Sequence, residues 1–386
     1  MQDYASVKQL PNGYPQRQPE PPGVISELLA GAAVRINGDA PWDIQVYDEK
    51  VYRLILTQGS LGLGRAYMEG LWDSDQLDET FHRLLAADID TKMVGWARVR
   101  LLGEVLRQRL FNLQSPQRAF QVAEQHYDIG NDVFESMLDS RMIYSCAYWE
   151  HASSLEQAQQ HKLDMICRKL QLQPGERLLE IGCGWGGLAG HLADRGAEVD
   201  AISLSDAQLA WARRHHMGPR FLKQDYRDTA GSYDGIVSVE MVEALGREYW
   251  PTFMDCVARN LKPGGRAAIQ FISIRDDLFD AYAASADFIQ AYIFPGGLLI
   301  RTSEFRRLAE ARGLAWQDQV DFGPDYAETL KTWRVNFNNA VVEGCLPPGF
   351  DARFVELWRF YLLYCEGGFR GGGIDVHQVT LVKRDR

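Results

Sequence analysis

No two cysteines of this chain form a CxxC pair, so neither a dithiol redox motif nor a paired-cysteine metal site is expected. The six that occur, Cys146, Cys167, Cys183, Cys256, Cys345 and Cys365, read as reduced thiols of a cytosolic protein. The chain opens on polar residues, not on the charged and apolar regions of a signal peptide. No run of about 18 apolar residues occurs, which excludes a membrane-spanning helix but not contact with a membrane surface. Basic residues are outnumbered: the net charge is −11, and nucleic acid is a poor default partner. Nothing is fibrous or of low complexity. What is present is a globular balance, 46% hydrophobic and 24% charged over 386 residues, enough for one large domain and a smaller one.

The most informative stretch is Leu178-Leu-Glu-Ile-Gly-Cys-Gly-Trp-Gly-Gly187. Leu178, Leu179 and Ile181 read as a buried strand, and Gly182, Gly184, Gly186 and Gly187 lead at once into a helical pattern near Leu188. Glycines there permit positive φ and let a ligand approach main-chain N–H groups. The G-x-G-x-G-G spacing and Glu180 argue against a dinucleotide, because a carboxylate would repel a pyrophosphate. An acid there suits the amino group of S-adenosylmethionine, the favoured cofactor.

Residues 1–22 carry five prolines among polar residues and read as a mobile arm. From 23 to about 115, short helical patterns broken by turns suggest a small, mainly helical domain. Its last part holds Lys92, Arg98, Arg100, Arg107, Arg109 and Arg118 against the single acid Glu104, interleaved with apolar residues. That composition fits a basic amphipathic helix on an anionic lipid surface, or equally the solvated face of a docking helix. The aromatic segment from Gln125 to Trp149 suits either ordinary core or a pocket for a sulfonium and an apolar substrate.

From 116 onward the pattern alternates strand and helix, giving a doubly wound α/β sheet. Ser154 and Gln157 read as a capping box opening a helix to about Leu170. Strands are expected at Glu198 to Ser203, just before Asp225, at Tyr233 to Val239, at Arg266 to Ile274 and at Val376 to Lys383. No acid ends the second of the sheet's strands, so Gln208, in a helix capped by Ser205, is the expected ribose partner. Asp225 can accept from an adenine amino group and Glu243 can reach a reaction centre, although a surface carboxylate is the usual fate of either type. The apolar stretch from Asp287 to Ile300 can cover a lipid tail.

In order along the chain, Gly62-Leu-Gly-Arg-Ala-Tyr-Met-Glu-Gly70, Leu110-Phe-Asn-Leu-Gln114, His126-Tyr-Asp-Ile-Gly-Asn-Asp132, Tyr144-Ser-Cys-Ala-Tyr-Trp149, Glu180 to Gly187, Gln224-Asp-Tyr-Arg-Asp228, Asn260-Leu-Lys-Pro263, Tyr292-Ile-Phe-Pro295 and Phe322-Gly-Pro-Asp-Tyr326 resemble the cyclopropane fatty acid synthase family of S-adenosylmethionine-dependent methyltransferases. The resemblance implies a Rossmann-like class I methyltransferase domain, with a mainly parallel seven-stranded sheet, over residues 116–386, behind a helical domain over 23–115 that meets the bilayer. It implies cofactor contacts from Tyr127, Tyr144, Ser145, Glu180, Gly182, Gly184, Gly186, Gln208, Asp225 and Tyr226. The implied reaction methylates a cis double bond in an acyl chain of a membrane phospholipid, at the inner membrane face, and leaves a carbocation that a base deprotonates to give a cyclopropane. The implied base is a bound bicarbonate held by Cys146, Glu243, Gln270, Ile272 and Tyr326, with aromatic faces such as Tyr144, Phe271 or Tyr326 near the cation. A homodimer is left open.

Two departures fall inside that cage. Ala244 follows Glu243 where the familiar bacterial sequences carry His, and Gln270 replaces a bicarbonate-binding His. A Gln amide can hydrogen-bond an anion but carries neither charge nor a mobile proton. With less need for bicarbonate, Glu243 is expected to take more of the proton-acceptor role, and a mid-chain methylated or methylene acyl product becomes an alternative to the ring. A small-molecule methyltransferase and a non-enzymatic membrane-surface module are further readings.

Overall fold

The structure, a computed structural model, describes residues 20–89, 130–284, 287–347 and 349–384. Residues 1–19 of the arm expected over 1–22, the segment Lys92 to Arg118 and Tyr127 lie outside the described residues.

The N-terminal part is built from α1 (Gly23–Ala30), β1 (Gln45–Val46), α2 (Lys50–Met68), β2 (Trp72–Asp73) and α3 (Leu77–Ala86). Gly59 interrupts α2 with φ +57° and ψ −134°, so the helix changes direction there. On α3, Leu77, Thr80, Phe81 and Leu84 recur at helical spacing and are buried, while Asp78 and Glu79 sit in the first turn, where the helix dipole favours negative charge.

The second part runs α4 (Asn131–Glu135), α5 (Leu155–Leu170), β3 (Arg177–Ile181), α6 (Gly187–Ala193), β4 (Glu198–Ser203), α7 (Asp206–His215), β5 (Arg220–Lys223), β6 (Tyr233–Val239), α8 (Trp250–Asn260), β7 (Leu261–Ile274), α9 (Phe279–Ala283), α10 (Phe288–Tyr292), α11 (Thr302–Glu310), β8 (Leu314–Asp321), α12 (Gly323–Val342), α13 (Ala352–Gly371) and β9 (Ile374–Lys383). The seven strands lie in the order β5-β4-β3-β6-β7-β9-β8, and β9 alone runs antiparallel to its neighbours. Winding reverses between β3 and β6, so the crevice at their carboxyl ends is where such a sheet takes ligands.

Strand periodicity divides the interior. Leu179, Ile181, Ile236, Ile269 and Phe271 pack with Phe253 and Phe305, while Leu178, Val199 and Val237 pack with Leu163, Ile166 and Leu192. A third cluster joins the N-terminal helices to α12 and α13: Phe81 meets Phe360 edge-on at 5.1 Å, and Phe288 of α10 meets the same ring at 4.4 Å.

Four details differ from the sequence reading. Ser154 accepts from the Gln157 N–H at 3.3 Å, but Gln157 Oε1 turns to Ser153, so the capping box is only half made. β7 begins at Leu261, which pairs with Tyr233 before the register shifts at Gly235, so Lys262-Pro-Gly-Gly265 is an irregularity in the pairing and not a turn ahead of it. β8 was not foreseen because an edge strand reading Leu-Ala-Trp-Gln-Asp-Gln-Val-Asp buries little and lacks alternation. Phe271 points away from the crevice, against Phe305 and His377 at 5.2 Å each, because its neighbour Gln270 takes the other face of the strand.

Candidate active site

The loop after β3 is shaped by its glycines. Gly182, Gly184 and Gly186 have φ of +83°, +53° and +82°. A Cβ on Gly182 would lie 2.6 Å from Met241, whereas one on Gly184 would meet nothing nearer than Gln208 Nε2 at 3.9 Å. The first glycine is needed for packing, and the second faces open space. The Gly182 and Cys183 N–H groups both donate to Ile202 at 3.0 Å, and Trp185 Nε1 donates to Asn131 at 2.9 Å, which ties the loop to β4 and α4.

That open space is a cavity of about 270 Å³. Tyr144, Ser145, Glu180, Gly182, Gly184, Gln208, Asp225 and Tyr226, expected from the sequence to meet the cofactor, all line it, with Lys162, Glu240, Ala244 and Phe294. Gly186 does not line it and instead lies against Phe221. Gln208 is positioned by the Ser205 cap, whose hydroxyl accepts the Gln208 N–H at 3.3 Å. Asp225 is already engaged: its Oδ1 accepts from the Arg227 main-chain N–H and from Arg227 Nε, both at 2.9 Å. Glu180 is buried with Oε2 unpaired among the described residues, and burial pushes its carboxyl up to about 8. An unpaired carboxylate oxygen on the wall fits a cationic ligand group such as the amino group of S-adenosylmethionine.

Behind this wall, the five residues expected to form an anion cage come together around two carboxylates. Glu240 Oε1 accepts from the Cys146 N–H at 2.9 Å and from Gln270 Nε2 at 2.8 Å, and Glu240 Oε2 accepts from the Tyr326 hydroxyl at 2.7 Å. Glu243 Oε1 accepts from the Ile272 N–H, and its Oε2 has no partner among the described residues. Cys146 thus contributes its main chain, since its thiol donates to Ala147 O and burial keeps it protonated. Gln378 Nε2 donates to Gln270 Oε1 at 3.0 Å and so turns the Gln270 amide N–H toward Glu240.

Charge here is heavily buried. Desolvation raises Glu240, opposed by Lys162 and by its three donors, while Glu243 is pushed up to about 8 by burial and then by the Glu240 charge. Between two adjacent carboxyls of which one is better bonded, the negative charge belongs on Glu240 and the proton on Glu243. Lys162 Nζ donates to Ser145 Oγ at 2.7 Å, and burial pulls it down to about 8 against the attraction of Glu240, Asp139 and Glu180.

Sequence reasoning missed Glu240 and Lys162. Glu240 carried a signal, an acid at the carboxyl end of a buried strand, and the structure adds a φ of +48°, a strained backbone for a residue with a side chain. Lys162 carried none, because a lysine in an amphipathic helix reads as surface. Away from the cavity, Asp321, Asp375 and His377 gather three potential metal ligands, but Asp321 and Ser273 hold the two imidazole nitrogens and the Gly323 N–H holds Asp375 Oδ1.

The chain is 41% identical over 362 residues, 92% of its own length and 92% of the relative's, to the cyclopropane-fatty-acyl-phospholipid synthase of Escherichia coli. It is 36% identical to the tuberculostearic acid methyltransferase UfaA1 of Mycobacterium tuberculosis, covering 86% of this chain and 81% of that one. Among solved structures, the mycolic acid cyclopropane synthase CmaA1 complexed with SAH and CTAB superposes with a TM-score of 0.63 at 29% identity, over 68% of this chain and 98% of that one. The family described as mycolic acid cyclopropane synthetase matches residues 114–379, and the chain belongs to it.

Proposed function

We propose that this enzyme uses S-adenosylmethionine to methylate the cis double bond of unsaturated acyl chains in membrane phospholipids, giving a cyclopropane chain. When bound in the cavity, S-adenosylmethionine would supply an electrophilic methyl group to the alkene π electrons, its S–CH3 bond breaking and the sulfur leaving as a neutral thioether. Glu180, Gly184 and Gln208 hold the cofactor, and the wall from Tyr144 and Phe294 keeps water from the cation on the acyl chain. A base in the cage then takes a proton from the added methyl carbon, and the freed electron pair closes the ring. The observation that carries this reading is the meeting of the glycine-loop cavity with a buried carboxylate cage in which Glu240 accepts three hydrogen bonds. Residues 116–386 are the catalytic part, and 23–115, with the basic segment Lys92 to Arg118, the part that meets an anionic bilayer from the cytoplasmic side. Among the described residues no helix is long and apolar enough to cross a membrane.

A second reading ends in a mid-chain methylene branch, or a methyl branch that keeps a double bond; a saturated methyl branch would need a further two-electron reduction by a separate reductase. Ala244 on the cavity wall and Gln270 in the cage favour it, as does the name of the relative UfaA1. Cyclopropane and methylene products are isomers, so mass spectrometry of vesicle phospholipid treated with enzyme and S-adenosylmethionine must show a gain of one CH2, and NMR must separate ring from branch. No gain with cis-unsaturated phospholipid overturns the proposal.

A further inference from the structure

We infer that the side chain of Glu240 stands where the implied bicarbonate would bind, and that this carboxylate is the base that deprotonates the intermediate. The inference rests on the proposed methyl transfer and names the group that completes it.

A carboxylate presents the same planar, singly charged O–C–O edge as bicarbonate. The Cys146 N–H, Gln270 Nε2 and the Tyr326 hydroxyl, the donors such an anion would use, all bond Glu240 at 2.9, 2.8 and 2.7 Å. Of the remaining cage members, the Ile272 N–H is taken by Glu243. Bicarbonate would find its donors engaged and two carboxyl groups beside it, with Lys162 as the cation drawn to the same cluster. The residues present therefore do not fit that anion.

They do fit a resident base. Glu240 is the member of this group that also lines the cavity, whereas Cys146, Gln270, Ile272 and Tyr326 stand behind it. Its two oxygens offer about four acceptor positions, and three are filled, so one remains for the proton. Glu240 reaches this place at φ +48°, a conformation costly for a side-chain residue and held by the Glu240 N–H donating to Gln270 O at 2.9 Å. Gln270 now has a task that needs neither charge nor a proton: its amide, fixed by Gln378, donates to a permanent carboxylate. In the step itself, a C–H bond of the added methyl carbon breaks, its electron pair forms the second ring bond, and the proton passes to a Glu240 oxygen and then to solvent.

Glu240→Gly is the informative variant, because glycine adopts φ +48° without strain and its missing side chain opens a space among the vacated donors. In buffer freed of carbon dioxide, the wild type should keep its full rate on phospholipid vesicles and show no bound label when 13C-bicarbonate is followed by infrared difference spectroscopy. Glu240→Gly should lose about 100-fold or more of the rate, recover part of it with added bicarbonate, and bind the label. Glu240→Gln, which preserves shape, should be equally slow and should not respond to bicarbonate. A wild type that needs or binds bicarbonate overturns the inference, as does either variant retaining full rate without it. If the wild type leaves every phospholipid unchanged, the proposed reaction fails, and the labelled-bicarbonate spectra still decide whether Glu240 excludes the anion.

Discussion

Gly184 and Glu243 show how much one residue can decide here. At φ +53°, a β-branched side chain on Gly184 costs on the order of 1–3 kcal/mol and projects into the cavity. Gly184→Val should therefore weaken S-adenosylmethionine binding by about tenfold or more in calorimetry, with circular dichroism unchanged; wild-type affinity would remove the loop from the cofactor site. Glu243 holds a proton up to about pH 8 in the folded state, against an ordinary value of 4.5. Its contribution to stability is thus full below about pH 4.5 and is lost as pH rises toward 8, at roughly 1 kcal/mol per pH unit. Replacing it by Gln, which cannot titrate, should flatten the fall of Tm across that window, and an unchanged slope would place the proton elsewhere. Residues of this kind were unequally legible in the sequence. Glycines after a buried strand announce a ligand loop with Glu180 just ahead of it, and Gln208 and Asp225 were read from the carboxyl ends of the two strands that follow; all three line the cavity. The pairing of Glu240 with Tyr326 joins residues 86 positions apart, and no local pattern encodes it.

At the scale of elements, sheet order and helix starts were readable because strand burial and capping are local: β4 and β6 fall at the expected residues, and Ser205 caps α7. What could not be read is how the apolar insertion is held. Gly64 of α2 lies against Phe288 of α10, so that a Cβ there would stand 2.1 Å from the ring, and Arg65 Nε donates to the Tyr292 hydroxyl at 3.0 Å. The N-terminal helix thereby supports the segment that brings Phe294 to the cavity wall. Because Phe288 is fully buried, it has no free room to yield. Gly64→Val should cost about 1–3 kcal/mol in urea denaturation and slow turnover as the wall loosens. An unchanged midpoint would show that α10 does not depend on that contact.

The whole molecule combines two things that its acidic composition does not suggest: a basic stretch ahead of the sheet, and a cavity at the strand ends walled by buried carboxylates and one buried lysine. Net charge averages these away, which is why composition excluded partners but named none. The glycine loop, the cage and the insertion lie far apart in sequence and meet only because the winding of the sheet reverses between β3 and β6. Their joint consequence is transfer of a methyl carbon into an acyl chain, and the most direct test follows that carbon. S-adenosylmethionine labelled with 13C in its methyl group is incubated with the enzyme and vesicles of cis-monounsaturated anionic phospholipid, and the recovered lipid is examined by 13C NMR. The account predicts the label in a cyclopropane CH2 of the acyl chain; label confined to the head group, or no label in the lipid at all, would contradict it.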